Sequence, residues 1–253
     1  LGATLDLRIL RHFAQSNSPF LMEVAKRTLA DRKGGHLART TSGQLILREI
    51  AQCPPDELDN FQDVNRFGCF NTNNLWINLP ELDELITKTA GVLGLPLIRN
   101  EKNLNPLDDS SPRVYQLECA MGSAISLFPN STALVVPRSR FIPVKKLDDL
   151  ISIQSDIYEL DETYCLVQRP ERKYGPVVVD LDPVYYGNID ALELRFPFGP
   201  PSLTNCESLK IRGDVRFGKN VVITCKAAEI VNHGSRPAMI QDFQIIDRPL
   251  SFS

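Results

Sequence analysis

The pattern that most narrows the fold lies near the C-terminal end. Leu209, Val215, Val221 and Ala227 recur every six residues, and Ile211, Phe217 and Ile223 form a second six-residue series two places later. A chain that turns after each short strand, with a fixed apolar position pointing inward, has this period. The pattern therefore predicts stacked rungs of a β-helix over residues 206–253. His233 stands where the next apolar rung residue is due. Either the phase slips near Asn232-His233-Gly234 or a loop departs there.

Upstream, the hydrophobic pattern alternates between the two periods. Helices are predicted over residues 3–14, where Leu5, Ile9 or Leu10 and Phe13 share a face, and after Pro80, where Leu82, Leu85 and Ile86 do. A short helix opens at Pro54-Pro55-Asp56-Glu57, since proline and acidic residues suit a first turn. Two more are predicted through Leu117, Met121, Ala124 or Ile125 and Phe128, and after Lys145 through Leu147, Leu150 or Ile151, Ile157 and Leu160. Strands are predicted at Phe20–Val24, at Leu45–Ile50 after the Ser42-Gly43 turn, between Phe67 and Ile77, and at Ala133–Val136. This alternation is the signature of an α/β layer structure up to about residue 160. From Pro170 to Pro201 the sequence is rich in proline and aromatic residues, without a helical period, and residues 161–205 read as a connector packed between two units. The expected organisation is an α/β unit over 1–160, the connector over 161–205 and the β-helix over 206–253.

Composition excludes several functions. A formal charge of -3 argues against a general polyanion binder, so nucleic acid is not an expected partner and any phosphate recognition should be local. The six cysteines form no C-x-x-C pair, which disfavours a zinc ribbon or redox dithiol and favours reduced thiols in a cytoplasmic setting. No long apolar run predicts a membrane span, and no leader pattern is present. His12, His36 and His233 are scattered and suggest neither a metal site nor a catalytic triad. No nucleophile elbow or Walker loop occurs in the sequence. The chain begins at Leu1, which fits a piece of something longer.

Four polar clusters lie next to predicted strands: Lys33-Gly34-Gly35, Glu49-Ile50-Ala51-Gln52, Asn71-Thr72-Asn73-Asn74, and the segment Val135 to Lys145. In open α/β sheets ligands bind beyond the carboxyl ends of strands, so such clusters can converge. Gly34 and Gly35 would let backbone approach a ligand, or make an ordinary turn. Glu49, in an apolar strand, suits two vicinal sugar hydroxyls or an ion pair. Asn71, Asn73 and Asn74 can donate and accept, as sugar hydroxyls demand, although Asx-turns explain them as well. Trp76 reads as core rather than as a stacking platform. Arg138, Arg140 and Lys145, three cations within eight residues beside Phe141, read as a clamp for an anion or as a basic strand exit. In combination the clusters suggest a sugar phosphate.

These residues resemble the eukaryotic-type UTP–glucose-1-phosphate uridylyltransferase (UDP-glucose pyrophosphorylase) family. The resemblance rests on six motifs in order: Lys33-Gly34-Gly35, Glu49 to Gln52, Phe70 to Trp76, Gln116-Leu117-Glu118, Pro137 to Lys145, and Gly213-Asp214-Val215 with Phe217 to Val221. It implies part of a Rossmann-like nucleotidyltransferase with a mixed sheet and helices, followed by a left-handed β-helix used for oligomerisation in some members. It implies UDP-glucose and pyrophosphate made from UTP and glucose 1-phosphate, with magnesium bridging the phosphates. By the resemblance Lys145 holds phosphate, Glu49 and Asn73 hold glucose hydroxyls, Gly35 bonds a hydroxyl through its backbone, and Phe141 walls the sugar pocket; Gly34 and Asn71 belong with them. The family's nucleotide loop and metal-binding aspartate precede a Leu-Gly pair like Leu1-Gly2, so no metal ligand is expected in this chain, and the chain alone is expected to be inactive. A related specificity for N-acetylglucosamine 1-phosphate or other sugar phosphates, and a non-catalytic assembly module built on the β-helix, are the alternatives.

Overall fold

The computed structural model describes all residues except 1–2, 28–30, 32–33, 107 and 109. Lys33 and the Leu1-Gly2 pair therefore lie outside the described residues. Two compact units divide the chain, Ala3–Phe141 and Ile142–Ser253. Among the described residues no helix is long and apolar enough to cross a membrane.

The first unit runs α1 (Leu7–Ser16), β1 (Phe20–Lys26), β2 (His36–Arg39), β3 (Leu45–Arg48), α2 (Leu58–Gln62), β4 (Cys69–Ile77), α3 (Leu79–Lys88), β5 (Leu97–Asn103), β6 (Arg113–Cys119) and β7 (Thr132–Val135). Asp6 caps α1 by accepting from the Arg8 backbone N–H, and this sets the helix start four residues later than the apolar pattern suggested. Among the described residues five strands form a mixed sheet in the order β3-β2-β4-β1-β7, with β1 parallel to β7 and antiparallel to β4. Strand β1 is flanked on both sides, and residues 20–25 are buried on both of its faces. Phe20, Met22, Val24, Leu37 and Leu47 pack there against Ala124, Ile125 and Phe128.

The helix expected through Leu117 and Phe128 does not form. Residues 113–119 pair instead with Leu97–Asn103 as an exposed hairpin, and a 3₁₀ turn, Met121–Ser126, follows. Val114, Tyr115 and the cross-strand partners favour the pleated form, and pairing outweighs the helical spacing of the apolar residues.

The second unit runs α4 (Leu147–Gln154), β8 (Tyr158–Leu160), β9 (Leu166–Gln168), β10 (Val178–Asp180), α5 (Pro183–Tyr186), α6 (Ile189–Arg195), β11 (Ser208–Arg212), β12 (Val215–Phe217), β13 (Val222–Ile223), β14 (Ala227–Asn232), β15 (Ala238–Ile240), β16 (Ile245–Ile246) and β17 (Leu250–Phe252). Helix α4 stops at Gln154 rather than reaching Leu160, because Tyr158–Leu160 pairs with Leu166–Gln168. The stretch 161–205, which shows no helical period in its sequence, carries two short helices and two strands. Its Leu181, Tyr186, Leu192, Phe196 and Leu203 share one core with Leu209, Ile211, Val215 and Phe217. Tyr186 donates its hydroxyl to the Val215 carbonyl at 2.7 Å, and burial pushes the phenol pKa up. The contact boundary between the two units falls at Phe141/Ile142.

The six-residue pattern folds as three parallel strand stacks: β10-β11-β14-β17, β12-β15 and β13-β16. Leu209, Val215, Val221, Ile211, Phe217 and Ile223 are all buried, as their phase requires. Ala227 is exposed, and Ala228 takes the inward position, a slip of one residue. A loop then departs after Asn232, whose amide donates to the Asp214 and Arg236 carbonyls at 2.8 Å each and so satisfies the loop backbone. Gly213 makes the adjacent corner possible. Its φ is +79°, and a Cβ there would lie 2.2 Å from the Asn232 carbonyl oxygen.

Candidate functional site

Within the first unit, the sequence-predicted residues other than Lys145 form a connected cluster. Strand β3 ends at Arg48, one residue before Glu49, which leads into the 3₁₀ turn Ile50–Gln52. Arg48 pairs with Glu57 at 3.0 Å. The Glu49 carboxylate lies over Gly35: a Cβ on Gly35 would sit 2.4 Å from Oε1 and 2.8 Å from Oε2. Glycine is what lets the carboxylate approach this backbone.

From Gly35 the cluster continues into β4. The Gly35 carbonyl accepts from the Asn71 N–H at 3.1 Å. Asn71 Oδ1 accepts from the Asn73 N–H at 2.9 Å, and Asn71 Nδ2 donates to Asn73 Oδ1 at 3.2 Å. Asn71 is thereby fixed and buried, while Asn73 is exposed. Asn73 has φ +63°, and the strand bulges there. Between the pairs Met22–Leu75 and Val24–Asn71, Glu23 alone faces Thr72, Asn73 and Asn74. A bulge of this kind re-aims side chains out of the ladder.

The other glycine is set by an aromatic ring. A Cβ on Gly34 would lie 1.9 Å from Phe70 Cε2, and the Phe70 ring packs on Phe141 at 5.2 Å. Gly34, Gly35, Glu49, Asn71, Asn73 and Phe141 thus form one chain of contacts, with Phe70 as a link that the sequence reading used only as part of a motif. Lys145 belongs to the second unit. Its backbone N–H donates to Asp149 Oδ2 at 2.8 Å, just ahead of α4, and the residue is exposed.

The anion-clamp reading of Arg138 and Arg140 is corrected. Arg138 donates to Asp31 at 2.9 and 3.3 Å. Arg140 donates through Nε and Nη2 to the two oxygens of Glu23, at 2.7 and 2.8 Å. Both guanidinium groups are engaged by buried carboxylates of their own unit. Glu23 also accepts from Trp76 Nε1 at 2.9 Å and Asn74 Nδ2 at 3.3 Å. Burial pushes the Glu23 carboxyl pKa up, but the bonds from Arg140, Trp76 and Asn74 outweigh it and leave the pKa below the ordinary value. Glu23 and Asp31 escaped the sequence reading. A single carboxylate inside the apolar run Phe20–Ala25 was the signal for Glu23.

Behind this cluster His36 is fully buried between Phe61 and Phe67, each ring 4.3 Å away. Arg27 Nη1 donates to its Nδ1 at 3.4 Å. Burial, then the charges of Arg27 and Arg48, lower its pKa to about 4, so the imidazole is neutral near pH 7. Among the described residues no group of three or more His, Cys, Asp or Glu is arranged to hold a metal ion.

The cluster offers carboxylate, amide and backbone groups beside aromatic carbon, which is chemistry suited to a polyhydroxy ligand. The family model described as UTP–glucose-1-phosphate uridylyltransferase matches residues 1–224. Proteins named UTP–glucose-1-phosphate uridylyltransferase from Hordeum vulgare and Encephalitozoon cuniculi are 40% and 42% identical over 224 residues, which is 88% of this chain and 45% and 44% of theirs. A crystal structure of UDP-glucose phosphorylase from Trypanosoma brucei superposes with a TM-score of 0.91 and 45% identity, over 100% of this chain and 54% of its own. A point mutant of Leishmania major UDP-glucose pyrophosphorylase, solved in complex with UDP-glucose, gives 0.90 and 42%, over 99% of this chain and 55% of its own. The chain spans about half the length of the relatives it matches, with a mixed α/β architecture like theirs. By family model, sequence and fold together, this chain belongs to the UTP–glucose-1-phosphate uridylyltransferase family.

Proposed function

We propose that the chain supplies the sugar-phosphate part of a nucleotidyltransferase that makes UDP-glucose and pyrophosphate from UTP and glucose 1-phosphate. The observation that carries this reading is the Glu49–Gly35–Asn71–Asn73 chain of contacts. Glu49 accepts from two adjacent hydroxyls, and Asn73, fixed by Asn71, donates and accepts at another. The Gly35 backbone, beside which the missing Cβ lets the Glu49 carboxylate lie, bonds a further hydroxyl. Gly34 lets the Phe70 ring approach and support Phe141, whose ring covers a carbon face of the sugar.

Lys145 receives its role from the resemblance of Pro137–Lys145 to the family motif: its ammonium balances phosphate charge. In the reaction a phosphate oxygen of glucose 1-phosphate forms a bond to the α-phosphorus of UTP. The bond from that phosphorus to the bridging oxygen breaks, and pyrophosphate leaves with the electron pair. No side chain needs to form a covalent bond, so the residues contribute position and charge. Magnesium is the metal of this reading, but the described residues hold no cluster that fits it.

The sugar-binding role is assigned within residues 1–160, and the stacked strands of 206–253 are assigned as a left-handed β-helix. The free thiols suit a cytoplasmic location. Exposed Phe198, Met239, Phe243 and Ile245 on the second unit favour self-association as an additional role. Removing residues after 205 would strip the core from Tyr186 and Phe196. Light scattering on Phe198→Asp and Met239→Asp is therefore the better test of association, and a monomer at all concentrations in the parent chain excludes it.

Pyrophosphate release from UTP and a panel of sugar 1-phosphates tests the activity. The chain alone should be silent, and the complete polypeptide should prefer glucose 1-phosphate. Lys145→Ala should lower the rate far more than it lowers stability. A stronger response to N-acetylglucosamine 1-phosphate would move the specificity, and an unchanged rate in Lys145→Ala would remove that residue from the site.

A further inference from the structure

The two arginines in the basic segment are spent inside the fold, and the partners they take give the segment a different use. Arg138 and Arg140 leave one 3₁₀ turn and reach different carboxylates. Asp31, the partner of Arg138, accepts from the Gly34 N–H through its own carbonyl at 2.9 Å. Arg138 therefore ties the turn to the glycine segment. Glu23, the partner of Arg140, is the one β1 residue opposite the β4 bulge. Its carboxylate bonds Asn74 and Trp76, and its carbonyl accepts from Thr72 Oγ1 at 2.7 Å. Arg140 thus ties the same turn to the strand that presents Asn71 and Asn73, while Arg140 Nη2 also donates to the Thr4 carbonyl at 3.0 Å. Phe141 is the next residue.

A buried ion pair costs desolvation, and packed apolar residues would often stabilise as well. Here both Glu23 oxygens are occupied by four donors, which leaves no free acceptor geometry for a base. What the arrangement does achieve is a fixed separation among three segments that are far apart in sequence. We propose that Arg138–Asp31 and Arg140–Glu23 form a clasp that positions the glycine segment, the β4 bulge and Phe141 against one another, so that Glu23 and Asp31 act as positioning residues for the sugar. The proposal rests on the reading of this cluster as the glucose site.

The test uses the full chain and the variants Glu23→Gln, Arg140→Lys and Asp31→Asn, with Arg113→Lys in the exposed hairpin pair as control. Hydrogen exchange is followed in peptides covering 71–76 and 137–141, and binding of glucose 1-phosphate by titration calorimetry. Parent-chain affinity for glucose 1-phosphate tests the sugar reading by itself. In Glu23→Gln, exchange in both peptides should rise and affinity should fall roughly tenfold or more, with the second unit's melting unchanged. Arg140→Lys should recover part of the affinity, since it keeps the charge but loses the bidentate fork. Unchanged exchange in both peptides overturns the clasp whatever the affinity. Faster exchange with parent affinity overturns the positioning role. No affinity in the parent chain overturns the sugar reading and the positioning role with it, while exchange still decides whether the clasp exists.

Discussion

Both units bury apolar side chains, but they differ in the polar groups they hide beside them. In Ala3–Phe141 the buried set includes Glu23, Arg27, Asp31, His36, Asn71 and Thr72. In Ile142–Ser253 the largest fully buried side chains are Phe217, Leu203, Leu209, Ile211, Ile223, Ile151 and Ile157. Its buried arginines serve backbone or corner: Arg172 donates to the Leu203, Thr204, Cys206 and Gly175 carbonyls, and Arg195 pairs with Asp214 at 2.9 Å. Apolar layers give stability through removal of carbon from water, which is non-directional. Buried polar networks are directional, cost desolvation, and hold groups in fixed orientation. The contrast teaches that the first unit adds a directional network of buried charges and amides to its apolar core, whereas the second turns its buried arginines to backbone and corners.

The largest effect should come from the apolar unit. Phe217 is buried and stacks on Phe196 at 4.7 Å, so Phe217→Ala should destabilise by about 3–5 kcal/mol. Chemical denaturation measures this, and glucose 1-phosphate affinity should stay unchanged while the chain is folded. A loss below about 1 kcal/mol would break the contrast at its strongest point.

Next comes His36. Its folded pKa of about 4 lies below the ordinary 6.5, so the unfolded chain takes up a proton that the folded chain refuses. Stability from this group is complete above pH 6.5, falls as the pH drops towards 4, and levels off below that. Between pH 7 and pH 5 the loss should be about 2 kcal/mol, assigned to the first unit and reduced in His36→Leu. Equal pH dependence in that variant would remove His36 as the cause.

Gly35→Ala should act on binding more than on folding. The new methyl meets the flexible end of Glu49, which can swing away. Stability should change by no more than about 1 kcal/mol while glucose 1-phosphate affinity falls roughly tenfold. The reverse pattern would make the contact structural.

The smallest effect should come from the ladder surface. Lys210 and Glu229 pair at 2.7 Å but are about half exposed, so Lys210→Ala should cost under about 1 kcal/mol, and less in high salt.

The α/β alternation, the mixed sheet's main strands and the inward series from Leu209 to Ile223 were legible because each repeats a short-range period. The one-residue slip at Ala227 was not, because a tight corner and a looser corner read alike in an apolar pattern. The hairpin of Leu97–Asn103 and Arg113–Cys119 was missed because its pairing partners decide it and its own apolar spacing suited a helix. That Gly35, Glu49, Asn71 and Asn73 come together in one chain of contacts was legible by chemistry and motif. The real use of Arg138 and Arg140 was not, since a cation's partner more than a hundred residues away leaves no local trace. Glu23 had a local trace, a charge in an otherwise apolar strand, and its meaning depended on the bulge opposite.

Amide chemical-shift mapping of the chain during titration with glucose 1-phosphate tests the central claim most directly. The account predicts saturable shifts concentrated at Gly34, Gly35, Glu49, Asn71, Asn73 and Phe141, with the strands after Ser208 silent. Saturable shifts confined to the stacked strands, or none in the Gly34–Asn73 set, would contradict it.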